Sequence, residues 1–380
     1  MFLWDHYTLV ASGRLFQCSA SPPNFKESDV MTENQAIHPG KLWLDTNGKP
    51  IQAHGGSIFF EDGTFYWYGE NKERTLPGAG IWHWGVRCYA SRDLYNWEDL
   101  GNIIQPRPDD VQSTLHPSRH LDRPHIIYNR FTRKYVCWVK IMGEGFFEQT
   151  ITVLTADSLR GPYTVVAEHM RPCGMYCGDF DLVVEPSDGK GYVYFSRPHC
   201  ELICADLSED YCSTTGYYTT HAPEKWPPFA REAPAHFFRK GKHYLFSSGT
   251  TGYYPNPTLT HDAPSYHGPY VCKGHPHIND TDKTSFNSQI SSVFRHPGKK
   301  DLYIALADRW IPDPKLSLPY ETSAAAFESI CNPEAPRVDL SCLHMDIDTS
   351  VSRYVWLPIK FAGETPYIEW QDVWRLEDFE

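Results

Sequence analysis

The chain carries no excess of positive charge. Its 380 residues hold 47 Asp and Glu against 35 Lys and Arg, a formal net charge of −12. Phosphate contact needs a basic face, so nucleic acid is not an expected partner. No run of 18 apolar residues occurs, which excludes a membrane-spanning helix. No CxxC pair occurs either: Cys173 and Cys177 are four apart, as are Cys200 and Cys204, so the spacing of a zinc ribbon is absent. The 11 Cys are odd in number, and the expected state is mostly buried free thiols. The 18 His lack metal-ligand spacing. The GxG at Gly78–Gly80 lacks the strand–helix context of a dinucleotide loop, so neither metal nor other cofactor is expected. In the opening MFLWDHYTLVASGRLFQCSA, Asp5 and His6 interrupt the apolar run and no basic residue precedes it. That reads as a cytoplasmic protein from the sequence as given, or a secreted one if a leader is missing.

What the chain does have is aromatics, at 14%, together with 30 Pro and 26 Gly. Many turns and many aromatic residues suit short strands and disfavour a helix bundle. A repeat search gives the architecture. The segment HGGSIFFEDGTFYWYGE begins at His54, and its pattern of strand, turn and aromatic strand returns four times. The later copies are RPHIIYNRFTRKYVCWVKI from Arg123, GDFDLVVEPSDGKGYVYFS from Gly178, REAPAHFFRKGKHYLFSSG from Arg231 and SQISSVFRHPGKKDLYIALADRW from Ser288. Their starts are 69, 55, 53 and 57 residues apart. The second halves also match, as YASRDLYNWEDLG (89–101), LTADSLRGPYTVV (154–166), LICADLSEDYCSTTG (202–216) and DAPSYHGPYVC (262–272). Four strands per unit and five units predict an all-β, five-bladed β-propeller over 37–380. A β-sandwich would not explain the recurrence. Residues 1–36 lack periodicity and read as an arm or a partly disordered segment. KLWLD (41–45) and YIEWQDVWRL (367–376) read as flanking strands, and an N-terminal strand entering the last blade would close the ring.

The first strand of each blade lines the axis of a propeller, so the residues at its start converge on one mouth. In order these are His54, Asp122 with Arg123, Asp179, Glu232 and Gln289. Each alone could be a hydrated surface residue; their recurrence at one structural position argues for a site. Three carboxylates in one funnel repel, so at least one should hold its proton to higher pH and be able to act as a general acid. Glu232, set in the tight and fairly apolar Arg231-Glu232-Ala233-Pro234, is the first choice, because Arg231 next to it on a strand faces the other way. Trp82, Trp84, Tyr253, Tyr254 and Trp310 lie near the same mouth and suit the C–H face of a sugar. Trp67, Trp138 and Trp356 sit mid-strand, and blade packing is their plainer role.

These residues carry a resemblance. From about Lys41 to about Trp370 the chain resembles glycoside hydrolase family 43, and within it the exo-β-1,3-galactanases. The similar segments are IQAHGGSIFFEDGTFYWYGENK, RPHIIYN, GDFDLVVE, REAPAHF, TTGYYPNP, SQISSVF, DRW and SRYVWLPI. The resemblance implies inversion at the anomeric centre, with Glu232 as general acid, Asp179 tuning it, and Gln289 positioning the water with help from Asp122. It implies that Glu70, Asn256 and Asp308 hold substrate hydroxyls, beside His54, Trp84, Tyr253 and Trp310, with galactan or arabinogalactan side chains as the carbohydrate partner. The sequence departs from the pattern in three places. AHGG at His54 has no Asp where most of the family carries its base, Asp122 is one methylene shorter than the usual Glu, and Tyr253 stands where Trp is common. The sugar therefore stays open among galactose, arabinofuranose, galactofuranose and xylose, and a non-catalytic carbohydrate-binding propeller stays open as another class.

Overall fold

Short strands in sequence-adjacent antiparallel pairs make up the framework. The computed structural model describes residues 34–143, 148–344 and 346–380. The expected arm therefore lies almost wholly outside the described residues; of it only 34–36 are seen, where the Asn34 backbone N–H donates to Asn96 Oδ1 at 2.8 Å.

The first blade is an antiparallel meander of β1 (His54–Glu61), β2 (Thr64–Glu70), β3 (Val86–Ser91) and β4 (Glu98–Ile104). The second repeats it with β5 (His120–Asn129), β6 (Lys134–Met142), β7 (Gln149–Ala156) and β8 (Thr164–Met170). The third uses β9 (Phe180–Val184), β10 (Gly191–Arg197), β11 (Glu201–Leu207) and β12 (Thr214–His221). The fourth uses β13 (Arg231–Arg239), β14 (Lys242–Gly249), β15 (Leu259–Ala263) and β16 (Val271–Gly274). The fifth is built from β18 (Gln289–Arg295), β19 (Tyr303–Arg309), β20 (Arg353–Ala362) and β21 (Thr365–Glu369), with the two-residue β17 (His277–Ile278) parallel to β21 at its outer edge. Inner strands pack in ring order, β1 on β5, β5 on β9, β9 on β13, β13 on β18 and β18 back on β1, so the chain is a five-bladed β-propeller.

Burial explains why the sequence reads as it does. The second strands are covered on both faces by neighbouring blades, and KYVCWVKIM in β6 is accordingly apolar almost throughout. The outer strand β8, TVVAEHM, alternates between exposed and part-buried. Two of the inner hairpins turn on two residues with positive φ, Asp62 (48°) with Gly63 (76°) and Lys240 (50°) with Gly241 (83°), the geometry that matches strand twist.

The core lies between blades rather than in one mass. The seam of blades 5 and 1 is the most aromatic, with Trp67 and Trp356 at 4.3 Å and Trp97, Trp374 and Tyr354 around them. Each buried Trp removes roughly 150–250 Å² from water, worth about 4–6 kcal/mol. Trp67, Trp138 and Trp356 are all buried, as expected for blade packing.

The flanking segments differ from expectation. KLWLD is not a strand; Leu44 makes one bridge to Pro50, and its neighbour Trp43 instead wedges its ring against Trp356 (5.0 Å) and Trp67 (5.4 Å). Ile37 makes a β-bridge across the seam to Trp374, the Gly40 N–H donates to the Tyr354 carbonyl at 2.6 Å, and the strand after β20 ends at Glu369. Blades 5 and 1 are thus joined by aromatic packing and by scattered hydrogen bonds, among them those of the Tyr354 hydroxyl with the Ala53 N–H and the Ile51 carbonyl, rather than by a shared strand. Nor did the sequence point to α1 (Tyr320–Cys331), carried by a long excursion between β19 and β20 that packs Phe327 and Leu343 on Tyr254, Trp310 and Ile311. Among the described residues no helix is long and apolar enough to cross a membrane. The ten described cysteines are free thiols, but only Cys88, Cys137, Cys177 and Cys204 are fully buried and Cys272 is exposed.

Candidate active site

One device builds the mouth of the funnel. The residue that opens the inner strand faces the end of the second strand, giving the pairs His54 with Glu70, Asp122 with Lys140, Glu232 with Ser248 and Gln289 with Asp308. In the third blade Asp179 precedes its strand, and its carbonyl accepts from the Ser196 N–H at 2.9 Å. In blades 1, 2 and 4 one extra residue follows at once, and the residue after the site position has positive φ: Gly55 (61°), Arg123 (54°) and Ala233 (48°). Blade 5 carries a similar bulge near Ser291. Bulges re-aim side chains, and non-glycine residues with positive φ are uncommon; two of them next to converging carboxylates mark a constrained site. Gly55 meets a further demand, because a Cβ there would fall on Glu70 Oε1.

The charged groups form a connected chain around the funnel. Glu232 Oε1 accepts from Gln289 Nε2 at 3.3 Å. Gln289 Oε1 accepts from Arg123 Nη2, and that nitrogen also lies 3.1 Å from Asp179 Oδ2. Lys140 Nζ reaches Asp179 Oδ1 at 2.7 Å and Asp122 Oδ2 at 3.1 Å. Asp122 Oδ1 accepts from Trp82 Nε1 at 2.6 Å and lies 3.8 Å from Lys72 Nζ, which pairs with Glu70 Oε2 at 2.8 Å. Glu70 Oε1 closes the chain by accepting from the Arg123 backbone N–H at 2.9 Å. Arg231 stays apart, donating to the Ser247 and Pro257 carbonyls, as its place on the strand implied.

These neighbours give the carboxyls different protonation states. Glu232 is partly open to the funnel. Burial, reinforced by the Asp179 charge, pushes its pKa up to about 8 against the opposing pull of Lys140 and Arg123. Burial would also raise Asp179, but Arg123 and Lys140 outweigh it and hold Asp179 well below the ordinary carboxylate range. Asp122 is likewise held low, since Lys140, Lys72 and Trp82 outweigh its burial. Burial pushes Glu70 up to about 7 despite Lys72. The funnel thus presents a protonated Glu232 beside ionised Asp179, with ionised Asp122 two blades away.

Gln289 lies where the sequence put it, but its surroundings narrow its role. Arg123 and Trp310 Nε1 (3.4 Å) can only donate, so the atom they meet is the amide oxygen. Its nitrogen donates to Ser248 Oγ (2.8 Å) and to Glu232. All four positions are occupied as an ordinary amide. Because blades 4 and 5 are neighbours, Gln289 sits on Glu232 rather than across from it.

Several expected substrate residues turn inward. Asn256 Oδ1 accepts from the Gly249 N–H and its Nδ2 donates to the Gly249 carbonyl and Thr251 Oγ1, so its amide ties the loop to β14 instead of facing a sugar. His54 is fully buried, with Nδ1 3.0 Å from Asp308 Oδ1 and Nε2 3.2 Å from the Tyr354 hydroxyl. Asp308 Oδ2 accepts from the Gly55 N–H at 3.0 Å, so His54 and Asp308 form a buried brace under the funnel. Trp84 carries the Arg74 guanidinium 3.8 Å above its ring, and it is Trp82, two residues earlier, that touches the carboxylates. Tyr253 sits between Trp82 (6.0 Å) and Trp310 (5.3 Å) and completes an aromatic wall, backed by the α1 excursion. No group of three His, Cys, Asp or Glu residues suited to a metal ion occurs among the described residues.

Residues 50–316 match a family model described as Glycosyl hydrolases family 43. No curated protein matches the chain. Among solved structures the chain is similar to a family 43 β-1,3-galactosidase at 30% identity and a TM-score of 0.74. That match covers 91% of this chain, which spans only 65% of the length of the other. A second family 43 β-1,3-galactosidase, solved with galactodeoxynojirimycin, is 27% identical with a TM-score of 0.72, covering 90% of this chain and 100% of that one. An exo-β-1,3-galactanase from Phanerochaete chrysosporium, solved with galactose, shares the fold at 24% identity and a TM-score of 0.70, covering 90% of this chain and 68% of that one.

Proposed function

This chain belongs to glycosyl hydrolase family 43 and so is a glycoside hydrolase, and on that premise we propose that it releases terminal galactose from β-1,3-linked galactan with inversion. Glu232 protonates the glycosidic oxygen. Asp179 keeps it protonated in the free enzyme. The observation that carries this reading is the pairing of a proton-holding Glu232 on blade 4 with an ionised Asp122 on blade 2. In a ring of five these blades are not neighbours, so the two carboxyls approach a sugar from opposite sides, the layout inversion requires. Asp122 is therefore the group that holds and deprotonates the water. Gln289 fixes the acid's orientation, a narrower part than the water-positioning its sequence match implies. Arg123 contacts the sugar's hydroxyls through Nη1, which has no hydrogen-bond partner among the described residues; Glu70, 1% exposed and engaged by Lys72 and the Arg123 backbone N–H, holds Arg123 in place. Trp82, Tyr253 and Trp310 supply the stacking wall.

The test is product release from galactoside, arabinofuranoside, galactofuranoside and xyloside aryl glycosides and from β-1,3-galactan, with Glu232→Gln alongside. Galactose from the galactan, lost by at least about 10²-fold in the variant, supports the reading. Release only from a furanoside or xyloside keeps the mechanism and changes the sugar. Binding of galactan with no release from any substrate would point to a non-catalytic propeller.

A further inference from the structure

Lys140 is one of the most enclosed cations in the chain, 8% exposed, and it arises from β6 opposite the bulge that aims Asp122 into the funnel. Its ammonium is shared between Asp179 at 2.7 Å and Asp122 at 3.1 Å, which belong to different blades. The groups around it are Asp122, Arg123 and His120 from β5, Asp179 and Cys177 from the entry to β9, Lys72 beyond Asp122, and Glu232 from β13 beyond Asp179. Arg123 could hold Asp179 alone. Lys72, 3.8 Å away, and Trp82 could hold Asp122 alone. Among the described residues only Lys140 pairs with both. The short Asp122 side chain fits this bridge, since Lys140 fills the reach that a longer carboxylate would take.

We propose that Lys140 is a positioning residue that fixes the spacing and charge balance of Asp122 and Asp179, coupling the water-holding carboxylate to the one that tunes the acid. The proposal rests on the assignment of Glu232 and Asp122 above. Lys140 touches no reacting atom and acts through its two partners. Removing its charge makes ionisation harder for Asp122 and for Glu232 alike, so both limbs of the bell-shaped dependence of kcat/KM on pH move upward together. A residue that only supported the fold would lower stability and leave the limbs in place.

The experiment is the pH profile of kcat/KM for wild type, Lys140→Met and Lys140→Arg, on whichever aryl glycoside the wild type cleaves, with Tm recorded for each. Lys140→Met is expected to raise both limbs by about one pH unit. Its kcat should fall about 10²-fold, through misplacement of the reacting groups, while KM changes little. Lys140→Arg keeps the cation and should return both limbs to the wild-type positions, with kcat only partly restored because the planar guanidinium fits the bridge differently. Lys140→Gln replaces the Met variant if that one does not fold. Unmoved limbs in the charge-removing variant, with Tm lowered, would overturn the proposal. If Glu232→Gln kept its turnover, the parent assignment would have failed instead. If no substrate is cleaved, carboxyl ¹³C NMR titration of Asp122, Asp179 and Glu232 in wild type and Lys140→Met reads the same upward displacement, and identical titrations would refute it.

Discussion

Glu232→Gln should make the protein more stable as it makes it inactive, and the gain should depend on pH. A glutamate carboxyl free in water loses its proton near pH 4.5, whereas that of Glu232 is held at about 8 in the folded protein, by burial and by Asp179. Between these values the native state keeps a proton that the unfolded chain has lost. Stability therefore falls as pH rises through the window, with no cost below 4.5 and the full cost above about 8. The gap corresponds to at most about 5 kcal/mol. Glu232 is partly open to the funnel, and water reaching its carboxyl lowers the expected cost to about 2–3 kcal/mol. A glutamine has no proton to lose and keeps an oxygen to accept from Gln289. Urea unfolding of both proteins at pH 5, 6, 7 and 8.5 measures the difference. The variant should gain about 2–3 kcal/mol on wild type between the first and last of these, since all other titrating groups are common to both. A difference that stays flat within about 0.5 kcal/mol would show that Glu232 is not held protonated, and would remove the physical basis for its role as the acid.

Three further outcomes follow from the contacts. Asp179→Asn removes the nearest charge opposing ionisation of Glu232, so the alkaline limb of kcat/KM should fall by about one to two pH units, read from a profile between pH 4 and 9. Trp82→Phe removes the 2.6 Å hydrogen bond to Asp122 Oδ1 while keeping a ring on the wall; kcat should drop about tenfold and the acid limb should move up, because Asp122 loses a donor that favours its charged form. Asn256→Ala should lower stability by about 1–3 kcal/mol through the Gly249 and Thr251 groups it leaves unpaired, with KM unchanged; a raised KM at unchanged stability would restore Asn256 as a sugar ligand.

The blades were legible because their signals are local. The copies starting at His54, Arg123, Gly178, Arg231 and Ser288 fall within three residues of the inner strands β1, β5, β9, β13 and β18. The acidic half of the site was legible for the same reason, each member standing just before an apolar run. Of the cationic half only Arg123 was, as the neighbour of Asp122. Lys140 lies on a second strand and Lys72 just past one, and they meet the carboxylates only through cross-strand register. That register was available in principle, since aligning the copies puts Glu70, Lys140, Ser196, Ser248 and Asp308 at one recurring position. Trp82 and Trp84 sit in an irregular loop whose directions no period fixes. Asn256, His54 and Asp308 came as substrate-holding residues from the family resemblance, and a matched motif does not by itself tell which way a side chain turns. KLWLD has a strand's composition, but the pull of the seam on Trp43, which packs on Trp356 and Trp67, sets its path instead of a sheet edge.

The bulge that opens the inner strands has a consequence for how this protein could change its substrate. In an ordinary strand, exchanging a residue disturbs the face it packs on and the register of everything after it. Here the extra residue releases the funnel position from the pleat, and the strand recovers its pairing by Ser57, His125 and Ala235. Blades 1, 2 and 4 thus each end in a socket whose occupant is set apart from the pleat of the blade below. Rewriting the occupants of these sockets, blade by blade, is the route by which this scaffold can be turned toward another sugar.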